Sequence, residues 1–233
     1  MKKILILFFI FITNFISAQP IVNLEYFDNN KLQWGYYFGL NTMDFKYKYN
    51  EFDYNTANTN LFDAQTKKTT GFNVGLTGDI RLIEHLNLRF EPGLVYNKRE
   101  VYFPGFEKDT DKIREVNSTY IYMPLLIKYG TKRWYNVKPY ITGGASMVIN
   151  LSSNHKLNVD NSENKFRTVQ NVFFYELGFG IDFYTPHFRF SPSIRGLFSI
   201  NNELIPDKDP NSRWTGNLKG IFTRGFMINL TFE

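Results

Sequence analysis

The sequence predicts an all-β protein: an eight-stranded antiparallel up-and-down transmembrane β-barrel of the outer membrane, with long outer loops and short periplasmic turns. Three observations predict it. An export-type segment opens the chain. Apolar residues then recur with a period of two in eight successive stretches, the last reading F-M-I-N-L-T-F-E from Phe226. The links between these stretches alternate long and polar with short. A period of two gives a strand with one apolar face. Only helices and closed barrels cross lipid without leaving backbone groups unpaired.

Composition narrows the class. At 233 residues the chain is one domain or two small ones. Aromatic residues make up 18%, while the mean hydropathy is slightly negative. Strands that are polar on alternate positions give that combination; a bundle of membrane helices does not. The formal charge of +5 includes Lys2 and Lys3 of the export segment, so nothing argues for nucleic acid. There is no cysteine, hence no disulfide.

Residues 1–18 read as a signal peptide. Lys2 and Lys3 precede an apolar run from Ile4 to Ile16, and Ser17-Ala18 offers small residues for cleavage before Gln19. The run is shorter than the roughly 20 residues a spanning helix needs. Residues 19–31 form a polar periplasmic lead-in, read as a tail outside the wall, and residues 32–233 the barrel.

Strand one starts at Leu32, with Trp34, Tyr36, Phe38 and Leu40 on one face. Past Met43 the apolar positions change parity to Phe45, Tyr47 and Tyr49, which suggests a bulge or an exit from the membrane. Residues 50–70 are a long polar loop. Strand two turns Phe72, Val74, Leu76 and Ile80 outward. A short link at 82–86 leads to strand three, with Leu88, Phe90, Pro92, Leu94 and Tyr96 outward. Residues 102–115 form a charged loop. Strand four has Ile121, Met123, Leu125, Ile127 and Tyr129 on its apolar face, and residues 130–137 are a short link. Strand five turns Ile141, Ala145, Met147 and Ile149 outward, and residues 151–170 are the third long loop. Strand six alternates Phe173, Tyr175, Leu177, Phe179, Ile181 and Phe183 with Glu176, Gly178, Gly180 and Asp182. Residues 184–187 make a tight turn. Strand seven places Phe188, Phe190, Pro192, Ile194 and Phe198 outward, residues 201–217 are the fourth long loop, and the strand at Phe226 closes the barrel.

The inward faces carry Gly, Ser, Thr and charges, so the bulky apolar faces meet lipid. Arg89, Lys128, Arg189 and Arg195 oppose Asp79, Glu91, Glu176 and Asp182. Four charges of each sign predict a salt-bridged lumen, since an eight-stranded barrel has room only for side chains. Trp34, Tyr129, Trp134, Tyr135, Tyr184 and Trp214 read as interfacial girdles. No metal spacing, phosphate loop or catalytic triad stands out, so no catalytic, cofactor or metal residue is assigned. His155 beside Asp160 is the one arrangement that would suit a hydrolase at the outer rim; His85 and His187 fall in short links.

Several segments occur in a recognisable order. They are N-L-E-Y-F-D from Asn23, W-G-Y-Y-F-G-L-N from Trp34, E-H-L-N-L-R-F-E-P-G-L from Glu84, Y-M-P-L-L-I-K-Y from Tyr122 and S-P-S-I-R from Ser191. Together they resemble the PorT/SprT family of Bacteroidetes outer-membrane barrels. The resemblance implies an accessory or assembly role in type IX protein secretion, with gliding motility where present. It implies no enzymatic activity, no cofactor and other secretion-system proteins as partners. Outer-membrane lipid and the barrel-assembly machinery are the remaining expected partners. The alternatives are a generic barrel with a structural, adhesion or surface-interaction role, and a rim hydrolase.

Overall fold

The computed structural model describes residues 21–50, 64–155 and 166–233. The segment read as a signal peptide, residues 1–18, lies outside the described residues. Ten strands form one antiparallel sheet closed on itself. They are β1 (Leu32–Tyr49), β2 (Gln65–Lys68), β3 (Thr70–Ile83), β4 (Leu86–Phe90), β5 (Gly93–Tyr102), β6 (Ile113–Gly130), β7 (Val137–Asn150), β8 (Asn171–Tyr184), β9 (Arg189–Ser199) and β10 (Leu218–Phe232).

The ten strands make eight staves. β4 and β5 are one stave interrupted at Glu91-Pro92: Gly78 faces Phe90 and Gly75 faces Gly93 in one unbroken register. Proline has no N–H to give the ladder, yet the Pro92 carbonyl still accepts from Leu76 N at 2.9 Å. β2 and β3 are likewise one stave, offset by one residue at Thr69, since Lys68 faces Arg99 whereas Phe72 faces Tyr96. The seam closes where β1 pairs with β10, from Tyr36 opposite Phe232 to Tyr49 opposite Leu218. Closure leaves no edge strand to present unpaired groups to lipid.

The outward faces are as the alternation requires. Trp34, Leu40, Leu76, Leu177 and Phe226 are each more than half exposed on the outer wall. Large inward rings are accommodated by glycines directly opposite them on the neighbouring strand: a Cβ on Gly75 would stand 2.7 Å from the Tyr37 ring, and one on Gly180 would meet the Tyr140 ring.

Of the two explanations for the parity change in strand one, a bulge or an exit from the membrane, the structure favours the exit. The ladder runs unbroken through Met43 and Phe45, and its register shifts only between Lys48 and Tyr49. The backbone does not slip at Met43; the chemistry of the two faces reverses. Phe45 joins Val101, Phe103, Phe106, Val116, Phe166 and Ile221 in an apolar core inside the barrel, while Lys46 and Lys48 point out and are exposed. β1 and β6 have 18 residues each. At about 3.3 Å per residue and about 40° tilt, that is roughly 45 Å along the axis, against an apolar band of about 25 Å. The wall therefore continues past the membrane as a water-facing barrel with an apolar inside.

Other loops are smaller than the sequence suggests. The loop read at 50–70 gives up Gln65–Lys68 to the wall; residues 51–63 lie outside the described residues. The loop read at 102–115 shrinks to residues 103–112, with one helical turn at Asp109–Lys112. Residues 201–217 fold back over the mouth: Leu204 is buried, and Trp214 stacks on Phe106 at 5.1 Å.

Candidate functional site

The lumen is the place where the chain concentrates its chemistry. All eight predicted inward charges are buried there and meet in one network. Asp79 takes both a 2.5 Å bond from Arg89 Nε and a 2.7 Å bond from Arg89 Nη2. It also accepts from Arg189 at 3.1 Å. Lys128 Nζ donates to both Asp182 oxygens at 2.7 and 2.9 Å, and Ser191 donates to the same carboxylate at 2.6 Å. Arg89 Nη1 then reaches Glu91 at 3.2 Å and links this layer to the next. There Arg195 binds Glu91 at 2.5 Å and Glu176 at 3.4 Å. The Tyr122 hydroxyl donates to Glu176 and accepts from Arg195 at 3.2 Å. Strand alternation explains the gathering: each residue sits at inward parity on its stave, and the stagger brings the staves' charges to two adjacent levels.

Two members were not foreseen. Glu233 continues the inward parity of β10 and receives Arg189 at 2.6 Å. Tyr122 has the inward parity of Lys128, so the same rule finds it once applied to tyrosines. Farther up, the buried Arg99 donates to the hydroxyls of Thr223, Ser118 and Tyr120 at 2.7–2.8 Å, its guanidinium 3.9 Å from the Phe45 ring centre. Thr223 in turn donates to Glu203 of the β9–β10 loop at 2.9 Å. Burial pushes the Glu203 carboxyl above its ordinary value, against the opposing pull of Arg99.

The end of the barrel that carries the short turns is covered. Residues 23–28 are not a free tail. Asn23 N donates to Asn136 at 2.8 Å and its side chain to the Tyr184 carbonyl at 3.0 Å. Arg133 holds the carbonyls of Asn23 and Leu24. Asp28 accepts from Tyr184 at 2.7 Å and pairs with Lys138 at 3.5 Å. Phe27 caps the Arg189 guanidinium at 4.9 Å. Tyr184 is thus an inner post for the lead-in and Trp214 part of the opposite cap, so neither belongs to a girdle; Trp34, Tyr129, Trp134 and Tyr135 are exposed on the outside.

The histidines stay apart from this network. His85 packs beside Tyr129, with ring centres 6.4 Å apart, and His187 is exposed in its turn. His155 contacts Ser153 at 3.3 Å; Asp160, its suggested partner, lies outside the described residues. No group of three or more potential metal ligands occurs among the described residues. What the lumen can do chemically is hold charge: every guanidinium of the eight-residue set has a carboxylate, and side chains fill the axis.

No curated protein matches the chain. Among solved structures it is similar to the outer membrane protein OprG of Pseudomonas aeruginosa, with 14% identity, 85% of this chain and 94% of that one covered, and a TM-score of 0.48. It is similar to Neisserial surface protein A at 13% identity, 84% and 95% coverage and a TM-score of 0.41. For Ail of Yersinia pestis the values are 13%, 87%, 99% and 0.40. At these values the likenesses carry no argument about function. The family model for the outer membrane protein beta-barrel domain matches residues 18–204, most of the chain. The chain therefore belongs to the outer membrane protein β-barrel domain family, and its place is the outer membrane.

Proposed function

We propose that this outer-membrane barrel is a non-enzymatic accessory or assembly component of type IX protein secretion, the role implied by its resemblance to the PorT/SprT family of Bacteroidetes. The observation that carries the accessory role is the filled lumen. Arg89, Arg189 and Arg195 are each at most 2% exposed and bridge opposite walls, so cargo has no path through the barrel. A component without a passage works through its surfaces. An outer-membrane barrel keeps its short turns in the periplasm and its long loops outside. Periplasmic partners would then meet the docked lead-in with Trp134 and Tyr135 beside it, and outer partners the cap and the extended wall.

Deletion of the gene tests the reading. Loss of secretion of many cargo proteins supports it, and unchanged secretion removes it. A pull-down of the tagged protein from detergent-solubilised outer membrane would identify its companions. The generic surface role is favoured by one observation, the water-facing extension of the wall with its apolar core, which presents a rigid platform above the membrane. The rim hydrolase rests on His155 alone; an unchanged phenotype for His155→Ala would dispose of it.

A further inference from the structure

The outer wall carries a groove where its two chemistries meet, on the β8–β9–β10–β1 side. One row across the sheet reads Tyr175, Phe198, Arg224 and Asp44, each directly opposite the next. The row beneath, toward the membrane, reads Leu177, Gly196 and Phe226. The Phe198 ring lies over Gly196, so an aromatic face fills the floor between the exposed Leu177 and Phe226. Above the first row stand Lys46 and Lys48, both exposed, with Lys48 Nζ 4.6 Å from the Phe222 ring centre. The hollow between Lys46, Lys48, Tyr175, Phe198 and Arg224 has a volume of about 600 Å³.

The charges do not cancel. Asp44 accepts from Arg224 at 2.8 Å and pairs with Lys68 at 3.1 Å. Among the described residues, one carboxylate thus stands against four cations, Lys46, Lys48, Lys68 and Arg224. An excess of cations directly above an aromatic and aliphatic floor matches an amphiphile with phosphates on its head and acyl chains below. With the long loops outside, this level is the upper edge of the apolar belt, where the phosphates of the outer leaflet lie.

We propose that this groove binds a phosphorylated glycolipid of the outer leaflet, of the lipid A type. Its phosphates would lie against Lys46, Lys48 and the free side of Arg224, and an acyl chain would run over the Phe198 ring between Leu177 and Phe226. The site is separate from the secretion reading and stands whether or not that reading holds.

The test is binding of bis-phosphorylated lipid A to the full-length folded protein in detergent, followed by native mass spectrometry. Heat-modifiable migration on a gel establishes that each variant is folded. Lys46→Gln with Lys48→Gln, both exposed, should weaken binding about tenfold or more, and dephosphorylated lipid should bind the parent as weakly. Lys31→Gln with Lys132→Gln, at the periplasmic end, changes net charge equally and should leave binding intact. Inorganic phosphate at millimolar concentration should not displace the lipid, because it lacks the chains. Equal binding by the parent and the Lys46/Lys48 variant overturns the proposal. So does equal binding with and without lipid phosphates, or full displacement by phosphate alone. A groove that serves an acidic protein segment instead would give the first of these outcomes.

Discussion

At the level of single residues, the lumen separates charges that matter to folding from charges that do not. Removing one partner of a buried ion pair leaves the other uncompensated and costs about 3–5 kcal/mol. Asp79 serves Arg89 and Arg189 at once, so Asp79→Ala should lower the stability of the folded barrel by about that much, read from urea unfolding in detergent. Glu115→Ala removes an exposed pair with Lys98 and should leave the unfolding midpoint unchanged. Glu203 gives a pH signature. Its folded carboxyl binds a proton more readily than the unfolded one, so it adds stability below the ordinary glutamate range and loses it as pH rises through the raised value. Glu203→Gln, which copies the protonated form, should flatten that slope. The eight lumen charges were legible in the sequence because parity alone assigns them. Glu233, Arg99 and Tyr122 obey the same parity and needed only its extension past the apolar stretches. The pairings themselves were not legible, since they depend on the stagger between staves distant in the chain.

Among the elements, the closing strand and the lead-in make opposite demands. Phe232 stacks on Tyr36 and Phe38 and packs at a tilt against Phe188 and Phe190, with ring centres 5.1–5.8 Å apart, and so ties β10 to both neighbours. Phe232→Ala should lower insertion, and removal of residues 226–233 should abolish it, because β1 and β9 would then expose unpaired groups to lipid. Heat-modifiable migration on a gel reads both. Leu177→Arg places a charge on the lipid face and should cost about 2–4 kcal/mol near the midplane; insertion equal to the parent's would reverse the assignment of β8. Removing residues 23–30 should keep the barrel insertable while lowering its unfolding midpoint, since Tyr184, Arg133 and Lys138 lose their partners. Period two identified every stave. It registered the parity change at Phe45, Tyr47 and Tyr49 but could not choose between a bulge and an exit from the membrane, because it tracks apolar residues rather than backbone; above the membrane the apolar side turns inward. The lead-in and the β9–β10 loop looked like solvated tails because their polar side chains bond to distant walls, and composition alone carries no sign of that.

For the whole molecule, the two reversed halves form one object. The lower wall is apolar outside and charged inside; the upper wall is charged outside and apolar inside. Each half suits its surroundings, lipid below and water above, and the lumen is closed by ion pairs in one and by aromatic packing in the other. The lead-in closes the periplasmic end a second time. The alternation of long and short links made the barrel legible, whereas the height of the wall was hidden because its upper part reads as loop. The claim that most depends on this arrangement is that nothing passes through. Conductance of the purified, heat-modifiable protein in a planar lipid bilayer tests it directly. No steady ion conductance is expected, for the full chain and for the chain lacking residues 23–30 alike. Stable open channels in the full-length protein would contradict it.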